Sequence, residues 1–263
     1  MGSVFLFGGM SADFAELSAA FVEAAGADRA RIAILVDRSA VGDKHLPRFL
    51  AAWNRFRPRI ESVMPDPGGQ TLGSAALRTL AMCTGIFVCG GDTRIYHQLY
   101  GTGSGRQAIL ERIACGVPYA GSSAGALIAP EAALVWGDRV TRKDHTLYLG
   151  GAEGPCDAEL DVEPGLALVP AAILEAHFTA QGGFPRLLAA LTKSDMRYGL
   201  GVDDGVCLEV LDRVTLRVHG HGRLYLLERA NDESATVRAL GPEASMRLVT
   251  DDQPPSRPTH APP

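Results

Sequence analysis

The sequence predicts an α/β fold: a mostly parallel β-sheet with helices on both faces, continued on its C-terminal side by an antiparallel set of strands. Three observations carry this. Residues 4–7, 31–36 and 85–89 are short apolar runs without polar alternation, separated by segments of helical period; parallel strands covered on both faces read this way. Glycine-rich turns follow apolar stretches at Gly90-Gly91-Asp92 and Gly121-Ser122-Ser123, and in open α/β sheets ligands bind at such carboxyl ends of strands. Four short runs between residues 206 and 240 do alternate, as antiparallel strands with one wet face should. With 263 residues, 46% of them hydrophobic, the chain can bury one large core, so residues 1–250 read as a single domain. Residues 251–263 hold five prolines and read as a disordered tail.

Taken in order, residues 4–7 are a first strand ending at Gly8-Gly9. Ser11 and Asp13 are caps for a helix whose apolar positions Phe14, Leu17, Phe21 and Ala24 recur at helical spacing. Residues 31–36 are a buried strand, 45–56 a helix, 60–64 a weaker strand, 72–82 a helix and 85–89 another buried strand. Residues 95–100 and 107–114 read as short helices around a glycine-rich break at 101–105. Residues 116–120 then run into Gly121-Ser122-Ser123-Ala124-Gly125, where a strand turns sharply into small helix formers. The pattern loosens over residues 131–170, which read as irregular or hairpin structure inserted on the substrate side. An apolar stretch at 173–178, a helix at 184–191 and a strand at 198–202 restore it, and runs at 206–210, 215–218, 223–227 and 236–240 close the chain.

Composition excludes several classes of function. A net charge of −5 gives no reason to expect nucleic acid or an anionic membrane as partner. No apolar run approaches the roughly 18 residues of a membrane-spanning helix, and the first residues lack the basic and apolar segments of a signal peptide. The five cysteines are scattered without a C-x-x-C pair, as reduced thiols of a cytoplasmic protein are. No cofactor is expected: Gly101-Thr-Gly-Ser-Gly105 follows a helix rather than a strand and lacks the Gly-Lys-Ser/Thr ending of a phosphate loop. No metal is expected either, because His219 and His221, paired across Gly220, have no Cys or third His nearby.

The chemistry concentrates on the G-x-S-x-G of Gly121, Ser123 and Gly125. Small flanking residues permit a sharp strand-to-helix turn, which lifts Ser123 out of the sheet beside unused helix N–H groups. A serine nucleophile needs a base, and the base an orienting carboxylate. His177, flanked by Ala176 and Phe178, is the candidate base; His45 and His97 lie on helix faces, His145 among charges and His260 in the tail. Asp204 follows a buried strand directly and is the candidate acid, with Asp138 in reserve; Asp203 turns to the other face if the strand continues. The backbone N–H groups of Gly91 and Ala124 are the candidate oxyanion donors. Asp92, Thr93, Arg94 and Ser122, at the glycine-rich strand ends, and Arg186 are the candidate substrate-binding residues. Among them Arg94 and Arg186, with Arg142, are the cations available to a substrate carboxylate.

Together these motifs resemble peptidase family S51, the serine peptidases that include dipeptidase E and cyanophycinase. The similar stretches are Ile86-Phe-Val-Cys-Gly-Gly-Asp-Thr93, Ala120-Gly-Ser-Ser-Ala-Gly-Ala126, Ala176-His-Phe178 and Gly199-Leu-Gly-Val-Asp-Asp-Gly205, supported by Phe5-Leu-Phe-Gly-Gly9 and Ile32-Ala-Ile-Leu35. The resemblance covers roughly residues 3 to 228. It implies a flavodoxin-like, class I glutamine-amidotransferase-like fold and a Ser-His-Glu triad, with Ser123 as nucleophile and His177 as base. The family glutamate falls on Asp204, and the oxyanion donors on Gly91 and Ala124. Three departures stand out. The acid is one methylene shorter. The arginine-rich stretch that follows His-Phe in cyanophycinases is here Thr179-Ala-Gln-Gly-Gly-Phe-Pro-Arg186, keeping only Arg186. Asp92-Thr93 matches neither the Gln of cyanophycinases at the second position nor the Asn-Thr of dipeptidase E. The expected function is a serine hydrolase that cleaves a small peptide, isopeptide or peptide-like amide, and a homodimer is left open. Two other uses of the same residues stay open: an esterase or acyl transferase, and a non-catalytic small-molecule-binding protein.

Overall fold

The computed structural model describes residues 2–38, 46–68, 71–143, 145–150, 156–231 and 234–249. The expectations for His45, the 251–263 tail and residues 151–155 of the loosened segment lie outside the described residues. In chain order the strands are β1 (Val4–Phe7), β2 (Arg31–Leu35), β3 (Arg59–Val63), β4 (Gly85–Val88), β5 (Tyr119–Ser122), β6 (Ala132–Trp136), β7 (Arg139–Arg142), β8 (His145–Tyr148) and β9 (Asp161–Pro164). There follow β10 (Ala172–Glu175), β11 (Tyr198–Val202), β12 (Val206–Leu211), β13 (Thr215–Gly220), β14 (Leu224–Asn231), β15 (Ser234–Leu240) and β16 (Ser245–Arg247). The α-helices are α1 (Phe14–Leu17), α2 (Ala19–Ala24), α3 (Leu46–Ala52), α4 (Ser74–Met82), α5 (Thr93–Tyr96), α6 (Gly103–Ala114), α7 (Ala124–Leu127) and α8 (Phe184–Lys193).

The fold is a mixed α/β fold, but the single sheet expected from the sequence is two. The larger has the order β16-β13-β12-β1-β5-β4-β2-β3, and its β1-β5-β4-β2-β3 run is parallel. The smaller has the order β15-β14-β11-β10-β6-β9, with β6, β10 and β11 parallel. The closing antiparallel set is divided: β12 and β13 extend the first sheet, β14 and β15 the second. The loosened segment also needs correction. Ala132–Trp136 is not part of an irregular insertion but a buried strand between β10 and β9; only β7 and β8 form a separate hairpin. The sequence hides β6 because the one-turn α7 precedes it, so the strand–helix–strand rhythm is missing there.

Local chemistry accounts for two departures among the helices. The helix expected from Phe14 to Ala24 is broken at Ser18, whose hydroxyl donates to Phe14 O (2.5 Å) and accepts from Trp53 Nε1 (2.8 Å). The break expected at 101–105 shrinks to Thr102, because α5 continues through a π-helical turn, His97–Gly101, and α6 already starts at Gly103.

One contiguous cluster of buried apolar side chains runs through both sheets. On the first sheet Trp53 is fully buried in a cage of Phe14, Phe21, Phe49 and Phe87, with ring centroids 5.0–6.2 Å apart. Among the described residues no helix is long and apolar enough to cross a membrane.

Candidate active site

Five parallel strand ends supply the site: β1, β4 and β5 from the first sheet, β10 and β11 from the second. Gly8 is the joint between the sheets. Its N–H donates to Val206 O (3.3 Å), and its carbonyl accepts the N–H of His177 (3.3 Å), which follows β10. Across this joint His177 Nε2 lies 3.1 Å from Ser123 Oγ, and Nδ1 lies 2.6 Å from Asp204 Oδ1. His177 is half-buried and Asp204 exposed. An imidazole within hydrogen-bond reach of a hydroxyl, held from behind by a carboxylate, is an arrangement able to take the hydroxyl proton.

Ser123 sits at φ 52°, ψ −116°, a conformation that costs a non-glycine residue about 1–3 kcal/mol and persists only where the surroundings enforce it. Here they do. Ser123 N–H donates to Phe7 O and Gly125 N–H to Cys89 O (both 3.2 Å), while the buried Tyr119 hydroxyl donates to Gly125 O (2.6 Å). The flanking glycines leave no room for side chains: a Cβ at Gly121 would fall on the Gly125 carbonyl, and one at Gly125 on the Val88 carbonyl. The helix that follows is a single turn, α7. It opens at Ala124, whose N–H belongs to the set a helix start leaves without an intrahelical partner. His177 likewise has positive φ, 49°.

The other expected residues separate. Gly91 is exposed beside Gly90, where a Cβ would stand 2.9 Å from Ser123 Cβ. Asp92 caps α5, accepting Arg94 N–H (3.0 Å) and pairing with its guanidinium (2.5 Å); the Arg94 hydrogen bonds hold the Asp92 carboxyl below its ordinary value. Arg94 Cζ lies 3.6 Å over the ring of Trp136, which belongs to the second sheet. Thr93, the first residue of α5, is half-buried.

Three candidates land elsewhere. Ser122 is buried in β5, 3% exposed. Arg186 is buried as well: Nη1 reaches both carboxylate oxygens of Glu175 at 2.7 Å, and Nε donates to Gly137 O at 2.8 Å. Burial pushes the Glu175 carboxyl up to about 7, with Arg186 opposing the shift. Asp138, the reserve acid, accepts the N–H groups of Cys156 (2.8 Å), Asp157 (3.3 Å) and Ala158 (3.1 Å). Burial disfavours its ionisation, but these backbone donors outweigh that and lower its pKa. The side chain of Arg142 lies outside the described residues.

Sequence reasoning missed two residues of the neighbourhood, Gly9 and Tyr119, and the partners of a third, Asp203. A Cβ at Gly9 would fall on Asp204 Oδ1 and 2.7 Å from His177 Cε1; the doubled glycine at a buried strand end was its only signal. Tyr119 holds the Ser123 turn, as above. Asp203 is buried and accepts from Thr179 N–H (3.0 Å), Thr179 Oγ1 (2.8 Å) and Arg223 N–H (3.3 Å). Among the described residues no three metal-binding side chains gather; His219 Nε2 meets Glu209 at 2.9 Å, and His221 Nε2 lies 3.7 Å from Asp13.

Comparison with known proteins gives the family. The chain is 29% identical over 149 residues to a cyanophycinase of Geminocystis herdmanii, covering 56% of this chain and 50% of that protein. It is 24% identical over 217 residues to a cyanophycinase of Trichormus variabilis, covering 81% and 68%. It therefore spans half the length of the first relative and about two thirds of the second. In fold it is similar to a peptidase from an acI-B1 actinobacterium (TM-score 0.64, 16% identity, 94% of this chain and 97% of that one). It is also similar to a Listeria monocytogenes EGD-e protein named for peptidase E (TM-score 0.55, 15% identity, 84% and 98%). The sequence model described as Peptidase family S51 matches residues 70–217, which hold Gly91, Ser123, His177 and Asp204 alike; the chain belongs to peptidase family S51.

Proposed function

We propose that this chain is a serine hydrolase that cleaves a small peptide, isopeptide or peptide-like amide through an acyl-enzyme. The observation that carries the reading is the hydrogen-bonded line from Ser123 Oγ through His177 to Asp204. Ser123 attacks the carbonyl carbon as its proton passes to His177 Nε2, and Asp204 holds the imidazole by Nδ1–H. The N–H groups of Gly91 and Ala124 bind the oxyanion. His177 then protonates the leaving amine, takes a proton from water as the water attacks the ester, and returns it to Ser123. No step calls for a cofactor. The bare backbone of Gly9 supports Asp204 as the acid, since it gives a carboxylate one methylene short of glutamate the closer approach it needs.

Arg94, displayed over Trp136 three residues beyond Gly91, receives a substrate carboxylate in this reading, with Asp92 and Thr93 beside it. Arg186 is withdrawn into its pair with Glu175, which favours small acidic or isopeptide-linked substrates over an aspartate–arginine polymer. The fold is read as flavodoxin-like: the run β3-β2-β4-β5 has the strand order with which flavodoxin-like sheets begin. The test is mass spectrometry of a dipeptide and isopeptide panel, including β-Asp-Arg and Asp-X members, with wild type beside Ser123→Ala. Cleavage by wild type alone is expected, with the variant folded normally; equal turnover by both would remove Ser123 from the reaction.

A further inference from the structure

We infer that Asp203 and Thr179 are positioning residues that hold His177 at its working distance from Asp204 and Ser123; this rests on the hydrolase reading above. His177 and Asp204 lie on two different connections of the second sheet, after β10 and after β11. Their spacing must be set by something other than the strands. Asp203, adjacent to Asp204, is buried, and its Oδ1 accepts both the N–H and the hydroxyl of Thr179, two residues beyond His177. Its Oδ2 accepts Arg223 N–H, while its own N–H donates to Arg223 O (3.2 Å). One carboxylate thus ties the loop after β10, the end of β11 and the start of β14 together.

His177 needs such a tie. Its positive φ is a conformation it would not keep unaided. It is pinned before its side chain by its N–H on Gly8 O and after it by the N–H and the hydroxyl of Thr179 on Asp203, so loss of either Thr179 bond loosens the second pin. Release of the second pin lets His177 relax toward ordinary backbone and swings the imidazole from Ser123 Oγ.

The test uses a fluorophosphonate probe, which needs no knowledge of the substrate. Ser123 Oγ bonds to phosphorus, the P–F bond breaks, fluoride leaves and the serine proton passes to His177. Labelling is measured as kinact and KI for wild type, Ser123→Ala, Thr179→Val, Thr179→Ser and Asp203→Asn, with melting temperatures alongside. Thr179→Val, which keeps the backbone bond and so the fold, lowers kinact by about tenfold to a hundredfold with KI unchanged. Thr179→Ser, which keeps the hydroxyl, returns kinact to near wild type, and Asp203→Asn falls at least as far as Thr179→Val. Wild-type kinact in both Thr179→Val and Asp203→Asn overturns the inference, as does equal slowing by Thr179→Val and Thr179→Ser. Undiminished labelling of Ser123→Ala instead overturns the hydrolase reading itself.

Discussion

Gly9 decides how closely an aspartate can stand to His177. Any side chain there meets Asp204 Oδ1 and the imidazole at once, so Gly9→Ala is expected to lower turnover by about a hundredfold through sub-ångström to ångström misplacement of the pair. Circular dichroism should show the fold kept while probe labelling of Ser123 shows the loss. Tyr119 acts one layer below: Tyr119→Phe leaves the Gly125 carbonyl without its buried donor and should cost about 1–3 kcal/mol in urea unfolding. The sequence declares Ser123, His177 and Asp204 because each ends a buried strand beside small residues. It hides Gly9, since a doubled glycine reads as any turn, and it misleads about Arg186. That side chain looks like a surface cation because its partner, Glu175, lies 11 residues away on another element and no local pattern announces the pair.

Pairing of elements explains why that buried charge pair exists. Glu175 ends β10 and Arg186 lies in the first turn of α8, so their contact fastens the helix to the strand that leads into His177. The Glu175 carboxyl is raised in the folded chain from 4.5 to about 7. The folded state therefore holds that proton more tightly than the unfolded one. The resulting stabilisation is complete below 4.5 and is lost as pH rises through about 7. Melting wild type beside Glu175→Gln from about pH 4 to about pH 8 should show the wild-type advantage shrinking over that window; a flat difference would mean that Arg186 keeps the carboxylate ionised throughout. Asp138 does a similar service for the segment after the β7–β8 hairpin. In Asp138→Ala the amides of Cys156, Asp157 and Ala158 lose their acceptor and should exchange faster with deuterium, while Ser123 labelling is unchanged. Helix and strand boundaries of this kind were only partly legible. Periodicity gives the run from Phe14 to Ala24 but not its interruption, because Ser18 breaks it for the sake of Trp53, a partner 35 residues away.

Among the described residues the two larger sheets share one core, with the candidate site at their seam. Ser123 comes from one sheet and His177 and Asp204 follow strands of the other, so neither half carries the whole candidate site. Strand patterns in the sequence foretell the strands but not this division, because an apolar run records that a strand is buried and not which sheet buries it. The seam also separates the chain's two tryptophans. Trp53 lies dry within the phenylalanine cage of the first sheet, and Trp136 lies half-buried under Arg94 on the second. The protein thus contains one intrinsic fluorophore for each half, a blue-emitting one and one open to an aqueous quencher. With Trp136→Phe and Trp53→Phe read separately in urea, coincident transitions are expected from the shared core. A lag between the two emissions would reveal the half-folded species in which the serine has already lost its histidine.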